Sequence, residues 1–104
     1  MIITTTENIS GRETRETIGL VRGSTVRARH IGNDIIAVLK NIVGGEIEEY
    51  TKLQTDAREQ AIARMITDAE KCSADAVVCT RLESSMIAGG ASEIVAYGTA
   101  IKLN

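Results

Sequence analysis

The segment Glu93-Ile94-Val95-Ala96-Tyr97-Gly98-Thr99-Ala100-Ile101-Lys102-Leu103 (EIVAYGTAIKL) decides the fold. Its content of Val, Ile, Thr and Tyr predicts a strand. In a strand Val95, Tyr97, Thr99, Ile101 and Leu103 share one side, opposed by Ile94, Ala96, Gly98, Ala100 and Lys102. A half-exposed antiparallel strand alternates apolar with polar residues, and neither side here is cleanly polar. Both sides are therefore expected to be covered.

Working backwards, Gly89-Gly90 marks a turn region, and Ala76-Val77-Val78-Cys79-Thr80-Arg81-Leu82 is a second β-rich run after Ser73-Ala74-Asp75. Before it, Tyr50, Leu53, Ala57, Ala61, Met65 and Ala69, widened by Ile62 and Ile66, recur at helical spacing with charge on the opposite face. Thr51 with Gln54 resembles a capping box, and Lys71 suits the negative end of the helix dipole. A shorter helix of about ten residues is predicted from Ile35, Ile36, Leu39, Ile42 and Val43, with capping side chains at Asn33-Asp34 and an end at Gly44-Gly45. Glu16 to Arg29 (ETIGLVRGSTVRAR) favours strand, with Gly19 and Gly23 marking a bend, a bulge or a close backbone neighbour. Glu7 to Arg15 is polar and reads as a loop, and Ile2-Ile3 as a short extended segment.

The chain has 104 residues, so residues 1–104 read as a single domain, and with no Pro and no Gly/Ser-rich stretch there is no internal boundary. It contains no Phe or Trp and only two Tyr, so its core must be aliphatic. A two-helix layer covers one face of the sheet only. The other face is expected to be buried against a further copy, which also helps a small chain without large aromatics bury enough surface. With 14 acidic and 12 basic residues the net charge of −2 weighs against general attraction to nucleic acid or anionic membranes. Met1-Ile2-Ile3 runs into Thr4-Thr5-Thr6 without a charged leader, and no run has the length of a membrane helix, so a soluble cytoplasmic protein is expected. Two Cys are too few for a secreted disulfide framework and read as reduced thiols.

Four blocks in order carry a family resemblance: Gly19-Leu20-Val21-Arg22-Gly23 with Val26-Arg27-Ala28-Arg29; Asn41-Ile42-Val43-Gly44-Gly45-Glu46-Ile47 with Glu49-Tyr50-Thr51; Ala57-Arg58-Glu59 with Arg64-Met65; and Glu93 to Ala100. Over nearly its whole length the chain resembles the YbjQ-like family, small bacterial and archaeal proteins without a settled function. The resemblance implies an α+β subunit with helices on one face of an antiparallel sheet, and the elements read along the chain give the order β-β-α-α-β-β. It also implies assembly into a ring, commonly a pentamer, and brings a heavy-metal-binding label.

The residues themselves test that label. Cys72 and Cys79 are separated by six residues, not the two of Cys-x-x-Cys. Counted from the turn near Asp75, Cys79 lies roughly 10 to 13 Å along a strand and Cys72 about 5 Å along a helix, on layers about 10 Å apart. Direct bridging of the two is not expected, and they read as small apolar-like residues. His30, the sole histidine, stands near Arg22, Arg27 and Arg29, which oppose a cation, and reads as a hydrogen-bonded or solvated side chain beside a helix start. No metal site and no cofactor is assigned on this basis.

Those arginines form the basic cluster, since residues 20–40 hold four Lys or Arg against one Asp. A ring would multiply them into an anion-attracting surface, although no aromatic neighbour in sequence offers base stacking. As one chain they are also consistent with a solvated or salt-bridged strand face. Glu46, Glu48 and Glu49 with Tyr50 follow Gly44-Gly45, and acid, phenol and permissive backbone together suit a ligand. Acidic residues at a helix start also serve its dipole. The candidate ligand-binding set is thus Gly44, Gly45, Glu46, Glu49, Tyr50, Arg22, Arg27 and Arg29. No Walker, Gly-x-Ser-x-Gly or His-Glu-x-x-His motif occurs. The expectation is a non-enzymatic, ring-forming homo-oligomer, a pentamer by its resemblance, that holds a metal or small anion at subunit boundaries. The alternatives are an enzyme with a composite intersubunit site using Tyr50 and a nearby Glu, or a nucleic-acid binder acting through its arginines.

Overall fold

A computed structural model describes residues 1–28, 48–86 and 91–104. Its elements are β1 (Ile2–Ile3), β2 (Thr14–Ala28), α1 (Glu48–Lys71), β3 (Ala76–Met86) and β4 (Ala91–Leu103). They form one four-stranded sheet in the order β1-β3-β4-β2, with α1 packed on one face. The order among the described residues is β-β-α-β-β, which corrects the expected β-β-α-α-β-β, and the helix expected from Ile35 to Val43 lies outside them. The sheet is mixed, not antiparallel, because β1 pairs parallel to β3 at Ile2–Ala76 and Ile3–Val77. A hairpin would force antiparallel pairing, whereas the long connection between these two strands, which includes α1, lets them run the same way.

The apolar stripe of α1 packs as its spacing predicts. Ala57, Ala61, Met65 and Ala69 are buried with Val21, Val77, Ile94, Ala96 and Ala100. Ala57, Ala61 and Ala69, three of the four residues in this row of four-residue steps, let the helix lie close to the sheet, and at Gly23 β2 meets it with no side chain at all. A Cβ on Gly23 would lie 2.2 Å from the Met65 backbone nitrogen and 2.4 Å from the Ala61 carbonyl oxygen. The other β2 glycine, Gly19, has φ 141° beside a register shift in the β2–β4 ladder, so one glycine admits a neighbouring backbone and the other a bulge.

α1 begins at Glu48, which places Thr51 inside the helix and corrects its reading as the cap. Glu48 and Glu49 occupy the first turn, where acidic residues favour the dipole. At the other end the Ala74 N–H donates to the Ala69 carbonyl (3.1 Å) and the Ser73 N–H to Glu70 (3.0 Å). That pair of bonds is the Schellman closure, and Ser73, at φ 58°, holds the left-handed position usually given to glycine.

Both sides of β4 are covered at its C-terminal end within this chain. Ile101 and Leu103, with Ala76 and Val78, form a second cluster on the helix-free face, and Ile9 of the segment between β1 and β2 packs against it. The chain covers this half of the face itself. Asp75 ties the same end together, donating its N–H to the Ile101 carbonyl and accepting the Leu103 N–H through Oδ2 at 2.8 Å.

Candidate functional site

Away from that cluster the helix-free face is open among the described residues. Register places Leu20 opposite Thr99, Arg22 opposite Tyr97, Ser24 opposite Val95 and Val26 opposite Glu93. Directly opposed residues of an antiparallel pair project to the same side, so these form one surface. Leu20 is 67% and Val26 56% exposed, while Val95, Tyr97 and Thr99 are half-buried.

On its other flank β4 pairs with β3, and Arg81 lies opposite Tyr97. Arg22, Tyr97 and Arg81 thus make one row across three strands. The alignment depends on an irregularity between Val78 and Arg81, where Cys79 adopts φ 54° and an extra residue enters β3. The row mixes charges, because Tyr97 donates its hydroxyl to Glu83 Oε1 at 3.3 Å. The guanidinium of Arg81 turns to the sheet edge, where Nη1 donates to the carbonyls of Thr80 (2.9 Å) and Thr5 (3.1 Å).

Of the residues singled out in the sequence, Arg22 stands exposed on this face, and its backbone N–H is held by Asp68 Oδ2 of α1 at 3.1 Å. Arg27 is in β2, opposite Ser92. Glu49 and Tyr50 are in the first turn of α1. Gly44, Gly45, Glu46, Arg29 and His30 lie outside the described residues. The grouping of the Gly-acid-phenol block with the arginines therefore remains an expectation. Tyr97, Arg81 and Glu83 were absent from the sequence reading because they share no local motif with Arg22 and meet it only through strand register.

The residues described here do not fit a heavy-metal centre. Cys72 is exposed just beyond the end of α1, and Cys79 is half-buried in the β3 bulge. Among the described residues no three His, Cys, Asp or Glu side chains come together as a chelating set. None of the helices described is long and apolar enough to cross a membrane.

Fold and surface define a small α+β protein with one covered and one half-open sheet face. The comparisons then place it. The chain belongs to the YbjQ-like family, whose model matches residues 1–104 and is described as "Putative heavy-metal-binding". It is similar to a UPF0145 protein of Methanosarcina acetivorans, 54% identical over 103 residues that make up 99% of this chain and 97% of that one. A UPF0145 protein of Archaeoglobus fulgidus is 57% identical over 103 residues, 99% of this chain and 95% of the relative. The fold is similar to a crystal structure of a DUF74-family protein of unknown function from Pediococcus pentosaceus. That likeness has a TM-score of 0.68 at 13% identity and covers 100% of this chain and 98% of the other.

Proposed function

We propose that this chain is a non-enzymatic subunit of a homo-oligomeric ring, a pentamer as its family resemblance implies, that binds a small anion at subunit boundaries. The observation that supports the assembly is the part of the sheet's helix-free face left uncovered among the described residues, whose exposed apolar side chains a further copy would bury. Leu20 and Val26 supply apolar area on the open face, and Arg22 and Glu93 on the same face give charges of both signs for a self-complementary contact.

An anion is favoured over a metal because the exposed guanidinium of Arg22 has no carboxylate partner among the described residues, and these hold no chelating set. Arg27 and Arg29 would add to it, with Gly44, Gly45, Glu46, Glu49 and Tyr50 from the adjoining segment. Light scattering and native mass spectrometry of untagged protein test both parts. A discrete oligomer that retains a small anion is expected, and loses it on substitution of Arg22 and Arg29 by Gln. A monomer in dilute solution overturns the assembly, and an oligomer whose anion binding is unaffected by those substitutions overturns the site.

A further inference from the structure

The two edges of the sheet are finished differently. On β2 the outward Arg22 N–H is taken by Asp68 Oδ2 and the outward Ser24 carbonyl by Arg64 Nη1, both from α1. Side chains of the same chain thus blunt that edge against a further strand. β3 is covered only at its start, where Thr4 and Thr6 bond to Val77, Cys79 and Thr80. From there it runs on to Met86 with no strand beside it among the described residues. The Thr80 N–H points outward, and strand groups alternate, so the N–H and C=O groups of Leu82, Ser84 and Met86 point outward too.

The same stretch carries uncovered apolar side chains. Leu82 is 42% and Met86 78% exposed. Leu82 lies opposite Ala96, which is buried under α1, so Leu82, Ser84 and Met86 all stand on the α1 side of the sheet. There a groove bounded by Ile3, Ile62 and Leu82 opens beside the bare edge.

We propose that a second copy of this chain adds its β3 antiparallel to this edge, about a two-fold axis at Ser84. In that register Leu82 faces Met86 of the partner subunit, Ser84 faces its own copy, and Glu83 faces Ser85 of the partner subunit. All three outward residues then exchange both backbone bonds. Met86 of the partner subunit, unbranched and adaptable, is seated over Leu82 in the groove. The neighbouring registers are worse. The one in which Leu82 faces Ser84 sets Glu83 against its own copy and calls on Thr80, whose N–H is already bonded to Thr4. A slip of one residue faces outward groups with inward ones. The contact uses the edge of the sheet, not its open face, so it stands apart from the ring contact proposed above, and a two-fold contact added to a cyclic one joins rings in pairs.

Light scattering and native mass spectrometry of the full-length protein, at one fixed subunit concentration, test it. An even number of subunits is expected. Ser84→Pro removes an outward N–H that the β3–β4 ladder does not use, and Met86→Asp puts a charge into the apolar groove. Each is expected to halve the mass with an unchanged circular dichroism spectrum. Oxidation of Ser84→Cys, with Cys72 and Cys79 replaced by Ser, is expected to cross-link chains in pairs, because its two Cα atoms lie about 5.5 Å apart, within disulfide reach. Ser85→Cys, about 7–8 Å from its own copy, is expected not to. An odd subunit count, a mass that neither Ser84→Pro nor Met86→Asp changes, or cross-linking through residue 85 as efficient as through residue 84 each overturns the proposal. If the ring reading alone fails, the wild type is a dimer that both variants turn into a monomer; if this contact alone fails, a ring remains whose mass neither variant alters.

Discussion

Gly23→Ala adds one methyl group at the closest approach of helix and sheet. Its Cβ would lie 2.2 Å from Met65 N, 2.4 Å from Ala61 O and 2.6 Å from Arg64 C. All three are backbone atoms of a helix, so no side chain can turn aside. Reaching an ordinary contact of about 3.4 Å requires α1 to lift by roughly 1 Å, and a gap of that size forfeits a quarter to a half of each dispersion contact along its buried face. The same movement stretches two bonds that hold α1 over the β2 edge, Asp68 Oδ2 to the Arg22 N–H (3.1 Å) and Arg64 Nη1 to the Ser24 carbonyl (2.6 Å). Overpacked cores cost about 1–3 kcal/mol when side chains can adjust, and rigid surroundings place this one at about 3 kcal/mol or above. For a domain of this length that lowers the thermal midpoint by roughly 12–24 °C. Circular dichroism melts at one fixed subunit concentration measure it, with Gly11→Ala as control. Gly11 has φ 78° but nothing near its Cβ, so its replacement costs only the backbone strain, about 1 kcal/mol. A Gly23→Ala midpoint within about 2 °C of wild type, or above that of Gly11→Ala, would show that the helix is not seated as described.

The remaining predictions follow from the same geometry. Ile101 is buried inside the subunit and Val95 is only half-buried on the open face, so Ile101→Asp should lower the midpoint sharply while Val95→Asp should mainly reduce the mass seen by light scattering; equal effects on both readouts would contradict this division of the face. Ser73→Gly should raise stability by about 0.5–1 kcal/mol, read as a shift in the urea midpoint, because glycine takes φ 58° without strain; a lowered midpoint would be inconsistent with the Schellman closure. Replacing both Cys72 and Cys79 by Ser should leave zinc and copper affinity unchanged, any weak binding following Glu46 and Glu49. A stoichiometric site tighter than about micromolar that vanishes with the thiols would reverse that reading.

The helix was legible because its signal is local. Ala57, Ala61, Met65 and Ala69 recur with the period of the backbone that buries them, and all four are buried. β2 was legible for a related reason: the two uses that glycine has inside a strand, bulge and close approach, are the ones Gly19 and Gly23 perform. Coverage of β4 was half legible. Its two uncharged sides required cover, but pattern alone does not name the covering group, and Ile9, from a segment without apolar period, supplies it for Ile101 and Leu103. The mixed sheet was hidden because a two-residue strand such as Ile2–Ile3 carries no pairing direction of its own.

The row on the open face was illegible for a sharper reason. Val78 pairs with Thr99, and an unbroken ladder would continue Cys79 with Gly98 and Thr80 with Tyr97. The extra residue at the bulge moves Arg81 opposite Tyr97 instead, and a shift of one residue exchanges the two faces of everything beyond it. Bulges of this kind usually announce themselves with glycine, yet here the left-handed position, φ 54°, is held by Cys79. Its N–H and that of Thr80 both turn outward to the Thr6 and Thr4 carbonyls, which docks the N-terminal segment on the edge of β3. What Cys79 contributes is therefore backbone geometry: it sets the phase of β3, the position of Arg81 and the end of the edge strand, and none of these requires its sulfur. Cys79→Gly should accordingly keep or raise the thermal midpoint, while Cys79→Val, β-branched and disfavoured at positive φ, should lower it; a lowered midpoint for Cys79→Gly would contradict the backbone role.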